Sequence, residues 1–407
     1  MSKGPEKDEL LLDVSRLLWR AWEGKLPTGI DRTCLAYVVH YSERARAIVQ
    51  RGGATRVLSP SLSKSIFDVL LMSQTGDAGP RLWRLVLRGL LPMLLGGRDV
   101  RGLKDRLYLN VGHTGLDRPG HTQWIARTGV RPVYFVHDLI PLTHPEFCRP
   151  AEPQKHLRRM TGMLRNAAGV IGNSRDTLNE LAVFAGLQSG LRVPPALVAP
   201  LGVELAPQQA TGEALPLPLP GRPYFVMLGT IEGRKNHLLM LAIWADLARR
   251  LGSAAPQLVI IGKRGWESEQ AVDMLERSEA IRGHVIELSR CEDALLAAYL
   301  RGARALLFPS FVEGYGLPLV EALACGTPVI ASDLEVFREL AGDIPDYLSP
   351  IDGLGWERAI EDYAAPDSAR RATQLDRMTG WKAPSWEAHF AAVDRWLERI
   401  STQAMPG

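Results

Sequence analysis

Two glutamates with seven residues between them, Glu313 and Glu321, flank the turn Gly314-Tyr315-Gly316-Leu317-Pro318. Gly314 and Gly316 allow a tight turn and close backbone approach. Pro318 suits a first helical turn, where its missing N–H costs nothing. The string follows the apolar run Ala305-Leu306-Leu307-Phe308 and opens a helical pattern from Leu317 to Ala324. The free N–H groups near Tyr315, Gly316 and Leu317 then point at an anion, with the helix dipole behind them. Carboxylates on either side of such a site can accept hydrogen bonds from sugar hydroxyls. A generic pair of glutamates would be a surface loop with two solvated acids, but the whole string is far more specific.

Other candidates stand where apolar runs end. Gly229-Thr230-Ile231-Glu232-Gly233-Arg234-Lys235-Asn236 follows the run Tyr224 to Leu228, and Gly262-Lys263-Arg264-Gly265-Trp266 follows Leu258 to Ile261. Lys263 fits a solvated loop lysine as well as a ligand-facing one. In the first half, His137 lies in Val136-His137-Asp138-Leu139-Ile140-Pro141 after a strand-like run. Ligands of open α/β sheets bind at the carboxyl ends of strands, although a satisfied structural histidine fits the same place. Gly29 in Pro27-Thr28-Gly29-Ile30-Asp31-Arg32, His113 in Leu109-Asn110-Val111-Gly112-His113-Thr114 and the pair Asn173-Ser174 mark further strand-to-loop positions. No role follows for His113.

The elements that must hold these residues alternate between short apolar runs and helical stretches. Strands are expected near 10–14, 47–49, 56–58, 107–111, 133–136 and 168–171, with helices from about Asp31 to Glu43 and from about Asp176. The second half is a run of βα units with strands at 224–228, 258–261, 284–288, 305–308 and 328–331. Helices are expected there at 236–251, 267–278, 293–301 and 317–324. Such alternation predicts parallel sheets covered on both faces, the doubly wound Rossmann-like pattern. Between the halves, Pro207, Pro216, Pro218, Pro220 and Pro223 crowd a short span, which reads as a linker or as a solvent loop. At the end, Trp386, Phe390, Val393, Leu397 and Ile400 share one helical face, with Ser385 placed to cap it. The expected division is a first domain over 1–206, a linker over 207–221, a second domain over 222–384 and a terminal helix within 385–407.

At about 100–200 residues per domain, 407 residues suit two or three domains. A 46% hydrophobic and 23% charged composition excludes disordered and collagen-like chains. A net charge of +3, from 48 basic and 45 acidic residues, argues against wholesale nucleic-acid binding. Cys34, Cys148, Cys291 and Cys325 are scattered, so neither a disulfide framework nor a zinc site is expected. No signal peptide is read at the N-terminus, and the greasiest stretch is broken by Arg84, Arg88 and Pro92. A cytoplasmic protein is expected, with one qualification. Arg81, Arg84, Arg88, Arg98, Arg101, Lys104 and Arg106 fall in one segment beside Leu82, Trp83 and Leu85. That segment suits a helix lying on an anionic membrane at the inner face of the cytoplasmic membrane. A packed helix with a solvated basic edge suits it equally.

The Glu313-to-Glu321 string resembles the donor-site signature of glycosyltransferase family 4, with Tyr315 where Phe is usual. The resemblance implies the two-domain GT-B fold: two Rossmann-like domains facing across a cleft, with the C-terminal helix crossing back to the first. It implies that Glu313 contacts the transferred sugar and Glu321 the nucleotide ribose. The Gly229-to-Asn236 segment is similar to the family's diphosphate-binding turn, giving that role to Lys235 with Arg234 beside it. Thr230 stands where many members carry Arg, and Lys263 is a candidate for the missing charge. His137 would hydrogen-bond the sugar or acceptor, and the Gly29 loop would approach the diphosphate.

The implied reaction moves a hexose from a nucleotide diphosphate sugar to a hydroxyl with retained configuration. No Asp-x-Asp occurs, so no metal or other cofactor is expected; Lys235, Arg234 and the helix start at Leu317 would stabilise the leaving group. The strings are similar to bacterial mannosyltransferases of polysaccharide and O-antigen (lipopolysaccharide) assembly, which points to GDP-mannose as donor and a glycan or lipid-linked acceptor. An epimerase or hydrolase on the same fold, or a non-catalytic sugar-nucleotide-binding subunit, remains the alternative. An NAD-dependent oxidoreductase is disfavoured, because Leu319 stands where the dinucleotide motif wants its third glycine.

Overall fold

A computed structural model of the chain describes residues 10–24, 28–72, 102–204 and 221–402. They fold as two compact units. The first holds the described residues up to Leu139, from Gln154 to Leu201 and from Trp386 onward. The second holds Ile140–Pro153 and the described residues of Gly202–Ser385. The segment 140–153 therefore joins the second unit, although it lies within the first half by sequence. The basic segment from Arg81 lies outside the described residues up to Arg101, and the expected linker lies outside them except for Gly221. No helix among the described residues is long and apolar enough to cross a membrane.

The first unit contains a seven-stranded sheet: β1 (Leu10–Asp13), β2 (Ala45–Arg51), β3 (Ala54–Val57), β4 (Leu107–Asn110), β5 (Arg131–Val136), β6 (Gly169–Gly172) and β7 (Ala196–Val198), in the order β3-β2-β1-β4-β5-β6-β7. The second unit contains six strands: β8 (Tyr224–Leu228), β9 (Gln257–Ile261), β10 (Val285–Leu288), β11 (Leu306–Phe308), β12 (Val329–Ser332) and β13 (Asp346–Leu348), in the order β10-β9-β8-β11-β12-β13. Both are the doubly wound order, starting at the centre and reversing direction between the first and fourth strands. The strands of the second sheet all pair in parallel. β8 and, after Gln257, β9 are apolar runs because both their faces are covered.

One edge departs from the all-parallel expectation. β3 pairs antiparallel to β2, with Arg51 opposite Ala54. Gly52 and Gly53, at φ 56° and 85°, form the two-residue reversal that only such residues accept readily. The helix Ser15–Trp22, directly after β1, is also absent from the sequence reading.

In the second unit Phe225, Leu258 and Ile260 of the sheet pack with Trp244 and Trp356 from helices, all fully buried. The two indole N–H groups donate to the carbonyls of Pro256 and Ser349. In the first unit the helix Trp386–Thr402 buries Phe390, Val393, Trp396, Leu397 and Ile400. Gly169 makes room for it: a Cβ there would lie 2.7 Å from both Trp396 and Ile400. Arg131 fastens the helix end, donating to the carbonyls of Ile400 at 2.6 Å and Ser401 at 2.9 Å.

Candidate functional site

The second sheet reverses between β8 and β11, and the loops leaving those two strands carry the main candidates. After β8 the chain runs through Gly229 and Thr230 into a 3-10 turn, Gly233–Lys235, and then the helix His237–Leu251. After β11 it runs from Pro309 to Gly316 into the helix Leu317–Ala324. The two loops are joined where Phe311 N–H donates to the Arg234 carbonyl at 2.8 Å.

Their side chains form a buried ionic cluster. Glu313 is gripped through one carboxylate oxygen by Lys235 and through the other by Arg234 at 2.7 Å. Ser310 Oγ donates to Glu313 at 2.8 Å. The far side of the Arg234 guanidinium reaches Glu232 at 2.7 Å, and its Nη1 also donates to the Val312 carbonyl. Lys235 Nζ lies 4.7 Å from the centre of the Phe308 ring, a cation–π contact. The Glu313 and Lys235 side chains are only 7% and 8% exposed, so the charges act with little water between them.

Burial pushes the Glu313 carboxyl up, but Arg234 and Lys235 outweigh it and hold the group at about 2. Burial also draws the Lys235 ammonium down from its usual value, against the pull of Glu313. Burial raises Glu232, with Arg234 and Lys235 opposing. With all four groups charged, the cluster of two cations and two carboxylates is neutral as a whole.

At the start of the helix Leu317–Ala324, Gly316 adopts φ 121°, which an L side chain resists. A Cβ at Gly316 would also press within 2.9 Å of Phe337. Among the described residues the N–H groups of Gly316 and Leu317 have no hydrogen-bond partner. They and the helix dipole make an anion-binding corner. Tyr315 is buried, Gly314 is half-buried at the turn, and Glu321 is half-buried one turn into the helix.

The third loop, after β9, packs on the first. Ile231 N–H donates to the Lys263 carbonyl at 2.8 Å, and Gly265 N–H to the Ile231 carbonyl at 2.9 Å. Gly262 has no room for a side chain, since a Cβ would lie 1.9 Å from the Gly229 carbonyl. Thr230 is half-buried, its methyl against Gly265. The Lys263 side chain is exposed and makes no ion pair or hydrogen bond among the described residues. Arg264 is held by Glu276 and Glu287.

In the first unit, His137 and His113 follow β5 and β4. His137 Nε2 lies 2.7 Å from the Val111 carbonyl, and His113 Nε2 lies 2.7 Å from the Phe135 carbonyl. His113 thus ties its loop to β5, and His137 ties its loop to the start of the loop that carries His113. A carbonyl only accepts, so both Nε2 atoms carry the proton and both Nδ1 atoms are acceptors. Burial holds His137 at about 4 and pushes His113 well below its usual value, so both are neutral at pH 7. His113 sits at φ 57°, an unusual conformation for a residue with a side chain. Asn173 donates to the His137 carbonyl at 2.8 Å, and Ser174 caps the helix Arg175–Gly186. Gly29 is the first residue of the helix Gly29–Tyr41, behind the capping pair Thr28 and Asp31. Asp31 itself is buried against Arg16 and Arg20.

Glu232 and Ser310 are the cluster members that sequence reasoning missed. Glu232 stands two residues before Arg234 inside the quoted string, but nothing local says that its carboxylate is buried. Among the described residues no three His, Cys, Asp or Glu side chains are grouped to hold a metal ion.

Residues 216–344 match the family described as "Glycosyl transferases group 1". The chain is 29% identical over 247 residues to the serotype-specific mannosyltransferase WbdA of Escherichia coli, a match covering 58% of this chain and 30% of that protein. It is 32% identical over 164 residues to O-antigen chain mannosyltransferase B of Escherichia coli, covering 40% of this chain and 42% of that one. The chain thus spans less than half the length of either relative. A solved structure of Anabaena HepE in complex with UDP has the same fold, with a TM-score of 0.63 at 16% identity over 97% of this chain and 100% of that one. The resemblance read from the two strings is borne out, and both strings lie inside the matched residues.

Proposed function

We propose that the protein is a glycosyltransferase that takes a hexose from a nucleotide diphosphate sugar and joins it to a hydroxyl of a glycan acceptor. The observation that carries this reading is the buried, ionised Glu313, held by Lys235 and Arg234 beside the unpaired N–H groups of Gly316 and Leu317. These five residues lie where the sheet reverses, the usual ligand position of this architecture. Because the ionic cluster is neutral, an incoming diphosphate competes with Glu313 for Lys235 and Arg234. Lys263 and the two free N–H groups supply the remaining attraction. Once displaced, Glu313 is a carboxylate acceptor for sugar hydroxyls.

We assign mannose from GDP-mannose as the donor, by likeness to relatives named as mannosyltransferases. The acceptor is a growing surface polysaccharide, carried on a lipid. The bond from the sugar's anomeric carbon to phosphate breaks while the acceptor oxygen bonds to the same face, so configuration is retained. The hydroxyl proton leaves with the departing phosphate oxygen. Charge growing on the diphosphate is met by preorganised donors, so the step needs no metal.

The test is a donor screen. GDP-mannose, GDP, UDP-glucose and UDP-N-acetylglucosamine are each added to the full chain, and thermal stability is followed. Stabilisation by GDP-mannose, followed by EDTA-resistant transfer to a mannosyl acceptor with retained configuration, is the expected result. Sugar release or epimerisation from donor alone would overturn transfer, and activity restored only by Mg²⁺ or Mn²⁺ would overturn the metal-free step.

A further inference from the structure

The segment 140–153 brings one aromatic residue to all three loops of the donor site, to two by its ring and to the third by its backbone carbonyl. Phe147 ends the single turn Pro145–Phe147. Its ring stacks on Phe311, with centres 5.4 Å apart and planes at 14°. Phe311 is two residues before Glu313, in the loop after β11. The same ring lies 3.6 Å from where a Cβ of Gly233 would be, in the loop after β8. The Phe147 carbonyl accepts the indole N–H of Trp266 at 3.2 Å, in the loop after β9. Arg149 adds a cation over the Trp266 ring at 5.2 Å, and the His144 ring stacks with Phe147, centres 6.3 Å apart. Yet the residues up to Leu139 and from Gln154 belong to the first unit.

We propose that Phe147 is a positioning residue of the donor site, a staple that holds the loops carrying Lys235, Lys263 and Glu313 in one register. This rests on the reading of those residues as donor ligands. The loop after β8 already meets the loop after β11 through Arg234, Lys235, Phe311 and Glu313, and the loop after β9 through Ile231, Lys263 and Gly265. None of these contacts joins the loop after β9 to the loop after β11. Phe147 closes that third side, because Trp266 is held by its carbonyl and Phe311 by its ring. Without it, among the described residues the loop with Lys263 and the loop with Glu313 are tied through the loop between them. A shift of about 1 Å between charged groups that grip a diphosphate is enough to lose much of their joint effect.

The test compares Phe147→Ala and Phe147→Tyr with the unaltered full chain. Hydrogen exchange is read at residues 229–236, 262–267 and 309–316, and KM for donor and kcat are measured separately. Phe147→Ala is expected to speed exchange in all three loops and to raise donor KM about tenfold, the loss of roughly one aromatic pair, with kcat changed little. Phe147→Tyr keeps the ring and is expected to restore both. Unchanged exchange in Phe147→Ala overturns the staple. Faster exchange in the three loops with unchanged donor KM keeps the staple and overturns the reading of the loops as donor site. If Phe147→Ala is unfolded, Phe147→Leu takes its place, and equal donor KM in Leu and Phe forms overturns the proposal.

Discussion

Arg234 and Glu313 meet at 2.7 Å inside the second unit, and the same guanidinium turns its other edge to Glu232 at 2.7 Å. One arginine thus bridges two buried carboxylates from different loops. Removing one partner of such a set leaves the others desolvated and unpaired. Arg234→Met is expected to cost about 3 kcal/mol of stability in denaturant titration. Arg234→Lys, which lacks the fork, should recover only part of that.

Glu313→Gln keeps the shape of the side chain and removes its charge. If Glu313 acts on the sugar, kcat should fall by about 10²-fold or more, a size typical of losing one preorganised polar group. The variant should also be less stable, because the buried Lys235 loses its counter-charge while Arg234 retains Glu232, so folding is checked by thermal melt before turnover is compared. Near-normal turnover would sink the role assigned to Glu313.

Lys263 is exposed and makes no ion pair or hydrogen bond among the described residues. A solvated cation steers and weakly holds an anion, so Lys263→Ala should raise donor KM about two- to fivefold at low salt. The difference should shrink toward nothing at about 0.5 M salt, where exposed charges are screened. Thermal stability without donor should not move. An effect that persists at high salt would contradict a purely electrostatic role.

Acid should weaken the fold in two stages. Burial holds His137, His121 and His389 at about 4 and His237 at about 3, against 6.5 for the free side chain. A base whose folded pKa is lowered binds its proton more weakly when folded. The stability it contributes is full above pH 6.5 and drains as pH falls through 4. Glu313, held at about 2 against 4.5, contributes stability that is full above pH 4.5 and is lost as pH falls through 2. Urea midpoints measured from pH 7.5 down to 4 should therefore fall steadily. His389→Gln should flatten that slope, since Gln can meet the Pro200 carbonyl and the Tyr37 hydroxyl without titrating. A slope identical to the parent's would exclude His389 as a contributor.

Arg131 holds the end of the last helix through two backbone carbonyls. A cation there also meets the negative end of the helix dipole. Arg131→Ala is expected to destabilise the first unit by about 2 kcal/mol. Gly169→Ala, which forces a methyl into Trp396 and Ile400, should do comparable damage of about 1–3 kcal/mol by overpacking. Circular dichroism melts of both variants check this. A wild-type melting temperature for Gly169→Ala would mean that the helix is not seated on that strand.

Five strands of the second sheet were legible in the sequence, β8 and β9 most clearly because they are buried on both faces and stop at Gly229 and Gly262, whereas the half-buried β13 was not expected. The Glu313 string was legible for a related reason, since glycine and proline there announce a strand-to-helix turn. What escaped was non-local. Glu232 looks like any loop acid until Arg234 is seen to bridge it to Glu313, 81 positions on by sequence number. The partnership of His113 with the strand of His137 depends on β4 and β5 lying side by side. Phe147 is harder still, because sequence neighbours that belong to the first unit say nothing of a side chain that belongs to the second. The β3 edge had its signal in Gly52-Gly53, which the expectation of parallel strands overrode.

The seat that Gly169 provides has a consequence for biosynthesis. The strand to be covered is made early, and the helix that covers it, Trp386–Thr402, is made after the whole of the second sheet. A ribosome has thus exposed every strand of the second unit before the first unit can close. The order of maturation should be the reverse of the order of translation. Nascent chains stalled short of residue 386 should show the second unit resisting protease while the first is still cut, and chains that have cleared the exit tunnel should show both protected.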